Sequence, residues 1–217
     1  ADAQLDALLF EADILYQKTL YKQCLSVLSA AKKKAYQHEK FSTLLDIIEW
    51  ELKLFSQLFP EEREKRDDRL FQEKKIILQK IENHTAYEKL YAVIRKEIDR
   101  NRSLRSRNQR KQISSKIIHD PLLKNESMAL SVRARNSYYG FKNIYYSIIQ
   151  DVEMNFFVCS KRVALIEEHP FLMESTEGYI GALSSLLIPC RELRKFDEFM
   201  ATLRKLKNIP TKKEEHR

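Results

Sequence analysis

The sequence predicts an all-α protein, a stack of about five antiparallel helix pairs, and three observations carry that prediction. Only 3 glycines and 5 prolines occur in 217 residues, so the breakers that sheets and their tight turns need are largely missing. Apolar residues recur at spacings of three and four along most of the chain, the period of one helix face. The segment Tyr21-Lys22-Gln23-Cys24-Leu25-Ser26-Val27-Leu28 has an echo in Phe196-Asp197-Glu198-Phe199-Met200-Ala201-Thr202-Leu203, 175 residues further on. That separation is about five periods of a ~34-residue helix pair.

Each element follows from the same spacing. Leu5, Leu8, Leu9, Ala12 and Leu15 form one face of a first helix over 3–16. A break at Lys18-Thr19 precedes a second, with Leu20, Cys24, Leu25, Leu28, Ala31 and Ala35 on one side. Phe41, Leu44, Leu45, Ile48, Leu52 and Phe55 make a third, ended at Phe59-Pro60 because the residue before proline resists helical geometry. Pro60 with Glu61 and Glu62 starts a fourth, proline and carboxylates both suiting a first turn, and Leu70, Phe71, Ile77, Leu78 and Ile81 are its buried face. Asn83-His84 ends it, and Thr85-Ala86-Tyr87-Glu88 has the spacing of a capping box that opens a fifth, with Leu90, Tyr91, Ile94 and Ile98. The next segment holds a loop with a short sixth helix (Ile113, Ile117, Ile118) or one long bent helix, closed by Asp120-Pro121. A long aromatic helix is expected over 124–149, its partner over 152–168, and a last pair over 174–193 and 195–207, with Pro189 kinking the first member of that pair. These elements read as one domain over 1–210, with a subdivision admitted near 101–110 and a frayed tail over 211–217.

Composition narrows the function. With 43% apolar residues the chain can bury a substantial core. Cys24, Cys159 and Cys190 are widely spaced and lack the C-x-x-C arrangement of metal and redox sites, so they read as buried thiols of a reducing, cytoplasmic compartment. No run of about 18 apolar residues is present to insert into a membrane. The chain opens on Ala1, consistent with processing or with a piece of a longer protein whose other part carries activity. The net charge of +8 favours an acidic partner modestly. Its distribution says more: from Arg100 to His119 there is no carboxylate, whereas Arg100, Arg102, Arg105, Arg107, Arg110, Lys111 and Lys116 fall in that window.

The stretches Asp120-Pro121-Leu122-Leu123-Lys124, Ala134-Arg135-Asn136-Ser137-Tyr138-Tyr139, Ser160-Lys161-Arg162-Val163 and Glu168-His169-Pro170, with the run from Leu186 to Leu203, resemble the tetratricopeptide-like arrays of uncharacterised bacterial proteins. The resemblance implies a right-handed solenoid whose first helices line a concave surface. It also implies a non-enzymatic scaffold that binds a peptide or protein partner without cofactor or metal. Helix crossings in such arrays favour small side chains. Ala12 with Cys24 meets that requirement, whereas the crossings of Asn143 with Asn155 and Leu187 with Phe199 carry bulkier ones.

Candidate sites follow in order of sharpness. Arg133, Asn136 and Asn143 fall on roughly one side of the aromatic helix, where Asn and basic side chains can hold a peptide backbone or a carboxylate, and Tyr139 adds a rigid aromatic contact. The aromatic row from Tyr138 to Tyr146 is otherwise expected to be mostly core. The alternative reading is a basic module that grips nucleic acid or another phosphate-rich ligand through Arg100, Arg102, Arg105, Arg107, Arg110 and Lys111. Catalysis finds no support: no H-E-x-x-H, glycine-rich phosphate loop or G-x-S-x-G is present. Neighbouring Glu167 and Glu168 point about 100° apart on a helix, which speaks against a metal site. His38, His84, His119 and His169 are all expected near helix ends.

Overall fold

The computed structural model describes residues 2–100, 107–174 and 176–209. Among them are nine α-helices and no strand: α1 Asp2–Gln17, α2 Tyr21–Gln37, α3 Phe41–Leu58, α4 Arg63–Arg100, α5 Arg107–His119, α6 Val132–Ile149, α7 Val152–Glu168, α8 Thr176–Glu192 and α9 Phe196–Lys207. Helices adjacent in sequence pack on each other, α1 on α2, α2 on α3, and α5 through α9 in succession. The chain divides into two compact units, Ala1–Asn83 and His84–Arg217, with the boundary inside α4. The expected frayed tail over 211–217 and most of the 101–110 segment lie outside the described residues.

In the first unit, α1 and α2 meet where the sequence places its smallest side chains. Ala12 and Cys24 are both fully buried, and the Cys24 thiol donates to the Ala12 carbonyl at 3.2 Å. Leu28, Leu44, Ile47, Ile48, Leu54 and Ile77 complete a core with no exposed surface. One charged cluster is set against this core. Lys32 of α2 reaches Glu51 of α3 at 2.6 Å and Glu73 of α4 at 2.7 Å, and the Tyr36 hydroxyl donates to Glu73. In the second unit, the later part of α4 contributes Tyr87 and Ile94 to a core shared with Ile113 and Ile117 of α5 and Phe141 of α6. The Tyr87 hydroxyl donates to the Leu122 carbonyl at 2.6 Å, which ties α4 to the turn that follows α5.

Four connections share one geometry. After α1, α2, α6 and α8 a single residue turns left-handed: Thr19 (φ 59°), Glu39 (φ 49°), Gln150 (φ 62°) and Arg194 (φ 56°). The residue that follows each donates its N–H five positions back, Leu20 to Leu15, Lys40 to Ala35, Asp151 to Tyr146 and Lys195 to Cys190, at 2.9 to 3.1 Å. This is the Schellman closure, which satisfies a terminal carbonyl and sends the chain back antiparallel. The next residue opens a helix, and in three of the four it is aromatic: Tyr21, Phe41 and Phe196. The echo between Tyr21 and Phe196 thus marks a repeated turn. None of the four left-handed residues is glycine, and Thr19 is β-branched, the least suited type there. Thr19→Gly is therefore expected to raise stability by about 0.5–1 kcal/mol, the relief of left-handed strain exceeding the extra entropy of an unfolded glycine. Urea unfolding followed by circular dichroism measures it.

Two boundaries differ from expectation. The fourth and fifth helices are one: α4 runs unbroken through Asn83, His84 and Thr85, so the described residues hold nine helices and His84 sits within a helix. Asn, His and Thr each cost a helix only a few tenths of a kcal/mol, less than the packing of Ile77, Tyr87 and Ile94 returns. The aromatic helix begins at Val132, not near 124, because Ser131 caps it, its hydroxyl accepting the Ala134 N–H at 3.1 Å. Residues Pro121–Leu123 and Glu126–Met128 form 3-10 turns ahead of it, the first capped by Asp120 on the Leu122 N–H at 2.9 Å.

Candidate functional site

Within the second unit, four helices enclose a pocket of about 540 Å³. Helical spacing supplies each wall. On α6 the contributors include Asn136, Gly140 and Asn143, at i, i+4 and i+7; on α8 Gly178, Gly181 and Ser185, at i, i+3 and i+7; and on α4 His84, Glu88 and Tyr91, at i, i+4 and i+7. Phe141 and Ile144 add an apolar strip, and α7 supplies Arg162 alone.

Arg162 sets the chemistry. Its Nε donates to Asn136 Oδ1 at 2.9 Å, and no carboxylate pairs with it among the described residues. Its guanidinium lies against Gly140: a methyl group on Gly140 would stand 3.6 Å from Cζ and 3.7 Å from Nη1. Burial lowers the pKa of Arg162 from its ordinary value, yet a guanidinium stays charged in any protein. The outcome is a half-buried cation with Nη1 and Nη2 donating to nothing among the described residues, beside a pocket that can admit an acceptor.

Asn143 is held from behind. Its Nδ2 donates to Asn155 Oδ1 at 2.8 Å and to the Cys159 sulfur at 3.0 Å, and Asn155 in turn donates to Ser147 at 3.1 Å. The bulky α6–α7 crossing is therefore made by hydrogen bonds between the two asparagines, where a small pair would have met by packing. Burial pushes the Cys159 thiol up to about 11, so it stays protonated and serves as a soft acceptor in this wall. Around the same pocket Glu88 and Glu177 contribute two exposed carboxylates, Glu88 standing 3.8 Å from His84.

The three glycines of the chain, Gly140, Gly178 and Gly181, all line this pocket. None has a positive φ, and a methyl on Gly178 or Gly181 would meet nothing within 4 Å. Neither turn geometry nor close helix contact calls for glycine at those two positions. What their lack of a side chain leaves is open volume. Gly181→Ala is expected to stabilise α8 by about 0.5–1 kcal/mol, the helix-interior penalty of glycine, while narrowing the pocket; thermal unfolding of the variant checks the first effect.

The predicted site residues separate. Asn136 and Asn143 are brought together on the pocket wall. Arg133, one turn nearer the start of α6, places its guanidinium 5.2 Å over the Phe171 ring. Tyr139 is rotated about 100° from Gly140 and is buried, its hydroxyl donating to Glu126 at 2.7 Å. Of the basic window, Arg110 and Lys111 line a separate cleft of about 760 Å³ with Ser114 and the end of α6. Arg100 closes α4 and Arg107 opens α5, while Arg102 and Arg105 lie outside the described residues. Arg162 and the glycines were not among the predicted contacts; the signal available for them was the confinement of so scarce a residue type to helix interiors.

Among the described residues no helix is long and apolar enough to cross a membrane, and no group of three His, Cys, Asp or Glu stands where it could hold a metal ion. Compared with known proteins, the chain matches no family model, no curated protein and no solved structure.

Proposed function

We propose that the chain is a non-enzymatic binding module of the cytoplasm, a tetratricopeptide-like array of helix pairs that holds a peptide or protein partner, and that the Arg162 pocket grips a carboxylate of that partner. The observation that carries this reading is the guanidinium of Arg162, half-buried on the pocket wall and without a counter-ion among the described residues. A charge partly withdrawn from water gains by pairing, and the planar fork of arginine fits a carboxylate through two parallel hydrogen bonds. Packing of sequence-adjacent helices and the repeated Schellman turns support the array; Asn136 and Asn143, on the first helix of their pair, support its use for peptides.

The test is a calorimetric titration with short peptides whose C-terminal carboxylate is free or amidated. Binding of the free acid that weakens about tenfold on amidation, with the peptide recovered intact, is the expected result. Because Arg110 and Lys111 share one cleft, a second reading is contact with phosphate-rich ligands there. It requires retention on heparin at low salt that falls steeply as salt rises, and negligible retention removes it.

A further inference from the structure

The charges around the pocket are not those of a plain anion site. One fixed positive group, Arg162, faces the cavity together with two carboxylates, Glu88 and Glu177, on a chain whose net charge is +8. His84 lies beside Glu88 at 3.8 Å, whereas no basic side chain pairs with Glu177 among the described residues. A phosphate or a polyanion would bring two or more negative charges to a lining that already holds two. A ligand with one carboxylate and one ammonium group satisfies both signs at once.

Resting on the carboxylate reading above, we infer that this pocket takes a zwitterionic short peptide with both ends free: Arg162 holds the terminal carboxylate, and Glu177 with Glu88 holds the terminal ammonium. Arg162 offers Nη1 and Nη2 as a forked donor pair, and Asn136, whose Oδ1 is engaged by Arg162, keeps its Nδ2 donors for the ligand. Asn143 keeps its carbonyl oxygen for a backbone N–H, since its Nδ2 is committed to Asn155 and Cys159. The open space over Gly178 and Gly181 and the apolar strip of Phe141 and Ile144 receive uncharged side chains. The pocket volume of about 540 Å³ falls within the ~300–1,000 Å³ of small-ligand sites and suits two or three residues.

The experiment titrates the protein with a pool of Ala-X-Ala tripeptides, X being any uncharged residue, in four forms: both ends free, C-terminus amidated, N-terminus acetylated, and both blocked. Free leucine is the fifth ligand. The free-ended pool is expected to bind tightest, amidation to weaken it about tenfold and acetylation about threefold, as fits a pairing with exposed carboxylates. The double variant Glu88→Gln with Glu177→Gln, both positions exposed, is expected to lose the acetylation effect while amidation remains harmful, and Gly181→Ala to bind more weakly though it folds more stably. Equal binding of free-ended and acetylated pools, with amidation still harmful, overturns the zwitterion inference and leaves the carboxylate reading standing. Equal binding of free-ended and amidated pools, or no binding of any pool at millimolar concentration, overturns both. Leucine binding as tightly as the free-ended pool overturns the assignment to a peptide.

Discussion

Lys32→Met is expected to cost the first unit about 2–3 kcal/mol, between the values for exposed and for buried ion pairs, because the ammonium is half-buried. Glu51 is 6% exposed and Glu73, partly exposed, stands on the other side of the same ammonium, so the variant leaves two carboxylates facing each other in a half-buried site. Methionine preserves the volume of the lysine stem, which confines the loss to charge. A pH series identifies the cause. Burial raises the pKa of Glu51 above its ordinary 4.5, and the Lys32 ammonium opposes that rise. A carboxyl whose folded pKa is raised contributes stability that is fully present below the unfolded value and lost as pH climbs through the folded one. Without Lys32 the folded value climbs further, so the variant loses more stability between pH 4.5 and neutrality than the parent. Urea midpoints that differ little near pH 4 and widely near pH 7 are the expected pattern; a gap independent of pH would assign the loss to packing.

Arg162→Met is expected to have the opposite signature. No carboxylate among the described residues depends on Arg162, and its desolvated charge is itself a cost, so its removal should leave stability unchanged or raise it by up to about 1 kcal/mol. Methionine matches the arginine stem without its guanidinium, and Asn136 Oδ1, released from Nε, lies on the wall of a pocket that water can fill. Binding of the free-ended tripeptide should fall about a hundredfold, because two charge-assisted hydrogen bonds together are worth about 3 kcal/mol. Thermal unfolding and calorimetry on the same sample give both numbers. A marked loss of stability with unchanged affinity would make Arg162 a structural cation. The two variants are a matched pair, since each exchanges a half-buried cation for methionine and they differ in whether the fold supplies the counter-ion.

Helix positions are legible in the apolar spacing because the period belongs to the element itself: the turns before Tyr21, Phe41, Val152 and Phe196 fall where the spacing breaks. The join of the fourth and fifth helices is not legible, since Thr85-Ala86-Tyr87-Glu88 satisfies a local capping rule and the outcome is decided by Tyr87, buried against distant Phe141. Half of the candidate site is legible for the same kind of reason. Asn136 and Asn143 share a helix face by spacing alone, while Arg133 passes beyond the pocket to Phe171 and Tyr139 turns into the core. Arg162 does not stand out from neighbouring residues in the sequence, because what distinguishes it is the lack of a partner carboxylate among the described residues, a property of the packed unit.

The repeated Schellman turn has a kinetic consequence. Where a helix is returned onto its neighbour after two or three residues, the chain closes a short loop to make its contacts, and the entropy of that closure is small. Topologies of low contact order fold in microseconds to milliseconds, each hairpin being a unit that can nucleate by itself. Within each unit, folding speed should then follow the four turns, with Thr19, Glu39, Gln150 and Arg194 as the residues whose left-handed conformation must be reached before adjacent helices can pair.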